Sequence, residues 1–200
     1  MQQYLESTTY IDWNTDEIRR LADDLAVNSP SKEKTAKNCF EWVRDNIRHS
    51  ADYKMNPVTC KASDVLRHKT GYCYAKSHLL AALLRANNIP AGLCYQRLSI
   101  DDKGAPYCLH GLNAVYLENH GWYRIDARGN KEGINAQFQP PQEQLAFPVN
   151  LANEADLPEI WTAPLPVVVS VLETSKTYSE VYDRLPDIEL IPGSYKGTRY

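Results

Sequence analysis

The sequence predicts an α+β fold in which a helical first half packs on an antiparallel β-meander. Two periodicities carry that reading: apolar residues recur at helical spacing from about Thr15 to Ala86, and from Ala91 to Asp126 the period falls to two. No internal repeat or sharp break in composition divides the 200 residues, so they read as a single domain, 1–200.

Each element has its own signal. Asn14 or Thr15 can cap a helix running to about Val27, with Ile18, Leu21, Ala22 and Leu25 on one face, and Asn28-Ser29-Pro30 ends it. Pro30 suits the first turn of a second helix, whose apolar stripe is Phe40, Val43 and Ile47 with Trp42 beside it. From His49 to Lys61 the pattern dissolves into a loop, after which Ser63 caps a short helix carrying Val65 and Leu66 that Gly71 stops. The stretch from Gly71 to Pro90 is the most strongly periodic in the chain. Cys73, Ser77, Leu80, Ala81 and Leu84 share a helical face, and Asn87-Asn88 close the helix, which puts Cys73 in its first turn. Strands follow at 91–99, 107–117 and 122–126, joined by Asp101-Asp102-Lys103-Gly104 and by the turn Asn119-His120-Gly121. Beyond Arg128 the chain is rich in Gln, Pro and Asn up to about Pro158 and reads as a long surface excursion. Val167, Val168, Val171 and Leu172 fit a helix started by Pro166, with a strand as the alternative, and a last short helix is expected near Ser179–Leu185.

Composition excludes several classes of function. With 43% hydrophobic and 24% charged residues the chain can build an ordinary core. A net charge of −3 is far from the basic excess that phosphate backbones demand, so nucleic acid is not an expected partner. The longest strictly apolar run, Leu79 to Leu84, falls far short of the roughly 18 residues a membrane span needs. No basic region followed by an apolar stretch opens the sequence, so a cytoplasmic location is expected. The five cysteines, 39, 60, 73, 94 and 108, are odd in number and form no Cys-x-x-Cys, which suits reduced thiols.

Cys73 is placed for chemistry, because a thiolate gains from the unpaired N–H groups of a helix N-terminus and the same groups can receive an oxyanion. Such a nucleophile needs a base. His78 lies about 140° around the same helix and points away, by helix geometry. His49, expected at a helix end, His68 beside Arg67 and Lys69, and His120 in a turn read as exposed, which leaves His110 on a strand among apolar neighbours. Asp126, ending the strand after Trp122 and Ile125, is a carboxylate in apolar company and requires a partner. His110 and Asp126 share a sheet face only if the intervening connection has three or five residues or carries a bulge; a plain two-residue turn separates them. The competing constellation is zinc held by Cys73, Cys108, His110 and Asp126, whose spacing lacks the paired knuckles of a zinc motif. Cys39, Cys60 and Cys94 read as packing residues, and Asp101-Asp102-Lys103-Gly104 lacks the ligand spacing of a calcium loop.

The block ASDVLRHKTGYCYAKSHLLAALLRANNIPAGLCY, followed by His110 on one strand and GWYRIDARG on the next, resembles the transglutaminase-like superfamily over roughly residues 35–130. Arg85-Ala86-Asn87-Asn88-Ile89-Pro90-Ala91 stands where that family has a variant of Arg-Ala-x-Gly-Ile-Pro-Ala. Two departures are visible: Gly111-Leu112-Asn113 replaces a Trp that often follows the histidine, and Ala127-Arg128-Gly129 replaces a Pro-Thr after the aspartate. The resemblance implies a papain-like core with its nucleophile at a helix N-terminus, Cys73 as nucleophile, His110 as base, Asp126 as orienting acid, and acyl chemistry through a thioester. Peptide or amide hydrolysis and transfer to an amine share these groups, with hydrolysis favoured because water is always at hand. Peptides, proteins or small amides are the expected substrates, no metal or other cofactor is expected, and Tyr53 is a candidate oxyanion donor. The alternative is a non-catalytic module of the same fold that binds peptides.

Overall fold

The computed structural model describes residues 1–190. A single 3-10 turn, Gln2–Tyr4, precedes α1 (Asp16–Ala26) and α2 (Lys32–Asn46). Thr15 is the N-cap of α1, as its sequence indicates, but Pro30 lies outside α2: Ser31 takes the cap, its hydroxyl accepting the Lys34 N–H at 3.2 Å. The expected loop after His49 contains structure. β1 (Arg48–His49) pairs in parallel with β2 (Thr70–Gly71), and between them lie α3 (Ser50–Tyr53) and α4 (Ala62–His68). Ser63 is inside α4 and not its cap; it ties the helix to Asp12, donating its N–H at 3.0 Å and its hydroxyl at 2.6 Å. That helix ends at Lys69, which adopts the left-handed conformation with φ 54°, two residues before Gly71.

α5 (Cys73–Ala86) is the axis of the molecule. Every residue from Cys73 to Arg85 is buried, so the helix is enclosed on all sides by α1, α2, α4 and the sheet. The sheet contains β3 (Ala91–Ser99), β4 (Tyr107–Leu117) and β5 (Gly121–Ile125), the antiparallel meander of the sequence reading. Asn113 on β4 stitches α5 to the sheet, its side-chain amide donating to the carbonyls of Ser77 at 2.9 Å and Gly92 at 3.2 Å.

The segment after Arg128 runs out and returns. β6 (Gln137–Gln139) and β7 (Gln142–Gln144) form a hairpin, and β8 (Ala155–Asp156) adds to β3, giving the sheet order β5-β4-β3-β8. Ala136, Phe138, Ala146 and Leu157 are buried, so this stretch builds core as well as surface. α6 (Pro166–Thr174) is helical with Pro166 in its first turn, and α7 (Tyr178–Tyr182) is capped by Thr177. None of the helices among the described residues is long and apolar enough to cross a membrane.

Candidate active site

The connection between β4 and β5 decides where Asp126 points. Leu117 pairs with Gly121, so three residues, Glu118-Asn119-His120, make the turn, and Asn113 pairs with Ile125. This is a parity that places His110 and Asp126 on one face. The imidazole Nε2 and the Asp126 Oδ2 lie 2.8 Å apart, with His110 5% exposed and Asp126 fully buried. The carboxylate also accepts the N–H of Arg128 at 3.1 Å and of Ala146 at 3.0 Å. Burial pushes the Asp126 carboxyl upward, but the His110 charge and these hydrogen bonds outweigh it and hold it below the usual carboxylate range.

Cys73 begins α5 and is buried, at 7% exposure. The first backbone bond of the helix is Lys76 N–H to the Tyr72 carbonyl, so the N–H groups of Cys73, Tyr74 and Ala75 have no acceptor within the helix. Across from it, β5 has already ended: the register that pairs Asn113 with Ile125 would set Ala127 opposite Gly111, beyond the strand. The Gly111 N–H is thereby released from the sheet and donates to the Cys73 sulfur at 3.4 Å. The approach is close. A Cβ on Gly111 would meet Tyr74 Cδ1 at 3.0 Å and Tyr74 Cα at 3.1 Å. With Nε2 given to Asp126, the other imidazole nitrogen is left for the thiol. Burial works against a charged imidazole, but the Asp126 carboxylate and the Cys73 sulfur together prevail and raise the His110 pKa to about 10.

A chain of contacts runs from Tyr72, beside Cys73, round to His110. Tyr72, which precedes it, meets the His49 ring edge-on at 5.4 Å, and His49 Nδ1 lies 3.7 Å from an Asp52 oxygen. Asp52 takes both Arg128 guanidinium nitrogens, at 2.7 and 3.0 Å, and Lys131 at 2.7 Å, which overcome its burial and bring its pKa down to about 2. Arg128 sits 5.5 Å from the centre of the Phe147 ring, and Phe147 stands edge-on to His110 at 4.9 Å. Outside this ring a cleft of about 360 Å³ opens between α3 and the turn after β5.

His49 corrects an expectation: it is buried, not an exposed dipole partner, and burial followed by the Arg128 charge depresses its pKa well below the ordinary histidine value. Tyr53 is 59% exposed and lies under the Arg48 guanidinium, 5.3 Å from the ring centre. His78 turns away as expected and meets the Cys60 carbonyl at 2.7 Å. No group of three or more His, Cys, Asp and Glu able to hold a metal occurs among the described residues. His49, Ala146 and Phe147 were not marked by local pattern, since a two-residue strand and a non-local return bring them in. The cross-strand neighbour of His110, Gln96, depends on the β3–β4 register, which the sequence alone leaves open.

A buried cysteine at a helix N-terminus, a strand histidine and the strand-end aspartate that holds it are thus brought together on an α+β fold. Residues 19–127 match the profile of the transglutaminase-like superfamily, and the chain belongs to that superfamily. Among solved structures it is similar to a candidate cysteine protease from Cytophaga hutchinsonii, at 22% identity and a TM-score of 0.50 over 62% of this chain and 40% of that one. It is also similar to the periplasmic domain of TgpA from Pseudomonas aeruginosa, at 18% identity and a TM-score of 0.45 over 62% and 45% of the two chains. Red sea bream transglutaminase matches at 11% identity and a TM-score of 0.45 over 58% of this chain and 27% of its own. The chain thus spans less than half the length of each of these structures. No curated protein matches it in sequence.

Proposed function

We propose that the chain is a cysteine-dependent acyl-transfer enzyme that acts on an amide bond through a thioester on Cys73. The observation that carries this reading is the buried His110–Asp126 pair, 2.8 Å apart, on the strand whose Gly111 N–H meets the Cys73 sulfur at 3.4 Å. The raised pKa of His110 lets the imidazole hold the proton it takes from the Cys73 thiol until the leaving nitrogen needs it. The sulfur attacks the carbonyl carbon, and the His110 proton passes to the leaving nitrogen. Water or an amine then gives a proton to His110 and resolves the thioester, returning the sulfur as thiolate. Asp126, with both oxygens engaged, fixes the ring and stabilises its charge without taking the proton. The free N–H groups at the start of α5 supply donors for the oxyanion, the role expected of Tyr53.

Hydrolysis is the favoured resolution, with transfer to an amine using the same groups. The test is mass spectrometry after incubation with a panel of peptide amides, with and without hydroxylamine. Cleaved or hydroxamate products and an acyl adduct on Cys73 are expected. A peptide that binds stoichiometrically and is returned unchanged, with no adduct, would make the chain a binding module.

A further inference from the structure

Leu109 and Gly111 lie on the part of β4 that has lost its neighbour, since β5 pairs only from Asn113 onward. N–H groups two residues apart on a strand point the same way, and Tyr116 sends its own in the opposite direction, to the Pro90 carbonyl. The N–H groups of Leu109 and Gly111 therefore share one open edge. Gly111 gives its N–H to the Cys73 sulfur at 3.4 Å, while Leu109 gives its N–H to the Pro186 carbonyl at 2.7 Å. These two anchor points are about 7 Å apart, the reach of two extended residues. The Leu109 carbonyl is already taken by the Tyr74 hydroxyl, which leaves the N–H as its one backbone group for a guest.

The segment holding that N–H is latched at the next residue. Asp187 takes Arg97 through two bonds of 2.7 Å each, and Arg97 is the cross-strand partner of Leu109, its guanidinium 4.1 Å from the centre of the Tyr107 ring. Leu185 and Ile188 pack on the core on either side, and the Tyr72 hydroxyl, one residue before the nucleophile, donates to the Tyr178 carbonyl at the start of the crossing. A backbone carbonyl beside the nucleophile, followed by a carboxylate in a bidentate grip, is the way an extended peptide is held.

We propose that this edge of β4 is the acyl-donor site, that the donor is an extended polypeptide whose carbonyl takes the Leu109 N–H and whose next residue carries a carboxylate read by Arg97, and that residues 183–190 hold this place internally. The inference rests on the assignment of Cys73 as the acylated nucleophile. A donor strand lying in the same place and continuing two residues toward Gly111 brings its own carbonyl to the sulfur. The donor must first lift the internal segment away.

The test uses the full chain and two reagents that alkylate a thiolate: iodoacetamide, and an octapeptide chloromethyl ketone containing Pro-Asp. Asp187→Arg sets like charges against Arg97 and frees the segment; Asp187→Asn weakens the latch with less disturbance should the first variant fold poorly. The ratio of peptidyl to iodoacetamide labelling at Cys73 is expected to rise about tenfold in Asp187→Arg, the value of one good charge-assisted pair. A synthetic peptide of residues 183–190 added to that variant should lower the ratio again, and a scrambled peptide should not. Replacing Pro-Asp by Pro-Asn in the reagent should cost it this advantage. A ratio unmoved by both variants, or equal competition by the scrambled peptide, overturns the inference while iodoacetamide labelling keeps Cys73 as nucleophile. Resistance of Cys73 to both reagents in every form overturns the nucleophile assignment and the inference with it.

Discussion

Asp126 accepts three hydrogen bonds in a fully buried position, so its contribution is to shape and charge. Asp126→Asn keeps the shape, removes the charge and favours the wrong imidazole tautomer. We expect kcat/KM to fall by about 10³ to 10⁴, with a stability loss of about 1 to 3 kcal/mol. Parallel kinetics and thermal melts check this, and near-normal activity would return Asp126 to a structural role. Thiol reactivity tests the other end of the site. Burial pushes Cys39, Cys60, Cys94 and Cys108 up to about 12, which keeps all four as thiols near neutrality. Cys73, beside an imidazolium, is expected to react first in quantitative iodoacetamide labelling of the folded protein. Earlier labelling of Cys108 or Cys39 would contradict the nucleophile assignment. At this scale the sequence was eloquent about Cys73, His110 and Asp126, whose helix start, strand and strand end are local features. It was silent about His49 and Phe147, whose places depend on segments remote in the chain.

At the scale of elements, the joint between α5 and β4 carries the site. Gly111→Ala places a methyl group against Tyr74 backbone atoms at 3.1 and 3.2 Å, which cannot swing aside as a flexible side chain would. The first turn of α5 must back away from β4, with an expected cost of about 1 to 3 kcal/mol and a larger proportional loss of activity, read from melts and kcat/KM together. The same helix buries Lys76, whose ammonium donates to the Ile47 carbonyl and, at 3.4 Å, to that of Arg44. Burial, then the Arg128 charge, lowers its pKa to about 7. A lysine depressed on folding binds fewer protons than in the unfolded chain between about 7 and its ordinary 10.5, so its linkage makes stability rise with pH across that window. His110 acts oppositely: its raised pKa gives stability that is full below 6.5 and is lost as pH climbs through about 10. The two trends offset each other. Lys76→Met should remove one of them, so that Tm falls with pH between about 7 and 10 in the variant more steeply than in the parent; equal slopes would refute the linkage.

Elements were legible where they were long and periodic. α1, α5, β3 and β4 follow from spacing and caps, whereas β1, β2 and α3 have four residues or fewer and owe their form to pairing across the chain. Pro30 and Ser63 misdirected the reading for a local reason, since each has a preferred place in a helix start and a neighbour, Ser31 or Lys61, occupies the cap.

At the scale of the whole molecule, Arg85 ties three remote segments into one body. Its guanidinium, 2% exposed, donates to the carbonyls of Ala91 at 3.0 Å, Glu6 at 2.8 Å and Thr162 at 2.9 Å. Arg85→Lys keeps the charge but cannot span all three acceptors, so a loss of about 3 kcal/mol is expected by denaturant unfolding, with catalysis otherwise intact. An unchanged midpoint would mean that the termini are held by other contacts. The family motif made Arg85 visible in the sequence without saying what it does. The return of residues 129–190 was the least legible part, because a stretch rich in Gln, Pro and Asn has no period, and only its burial against the finished sheet reveals that part of it is core.

The N–H of Ala146 on Asp126 and the ring of Phe147 against His110 set an order of events during synthesis. All three groups are present in the chain once Asp126 is made, yet until residues 146 and 147 follow, the acid lacks one of its donors and the imidazole lacks the ring that covers it. A chain that stops between Asp126 and Ala146 carries the three side chains without the contacts that fix them. The geometry of the His110–Asp126 pair is thus complete only when the polypeptide that closes over it exists.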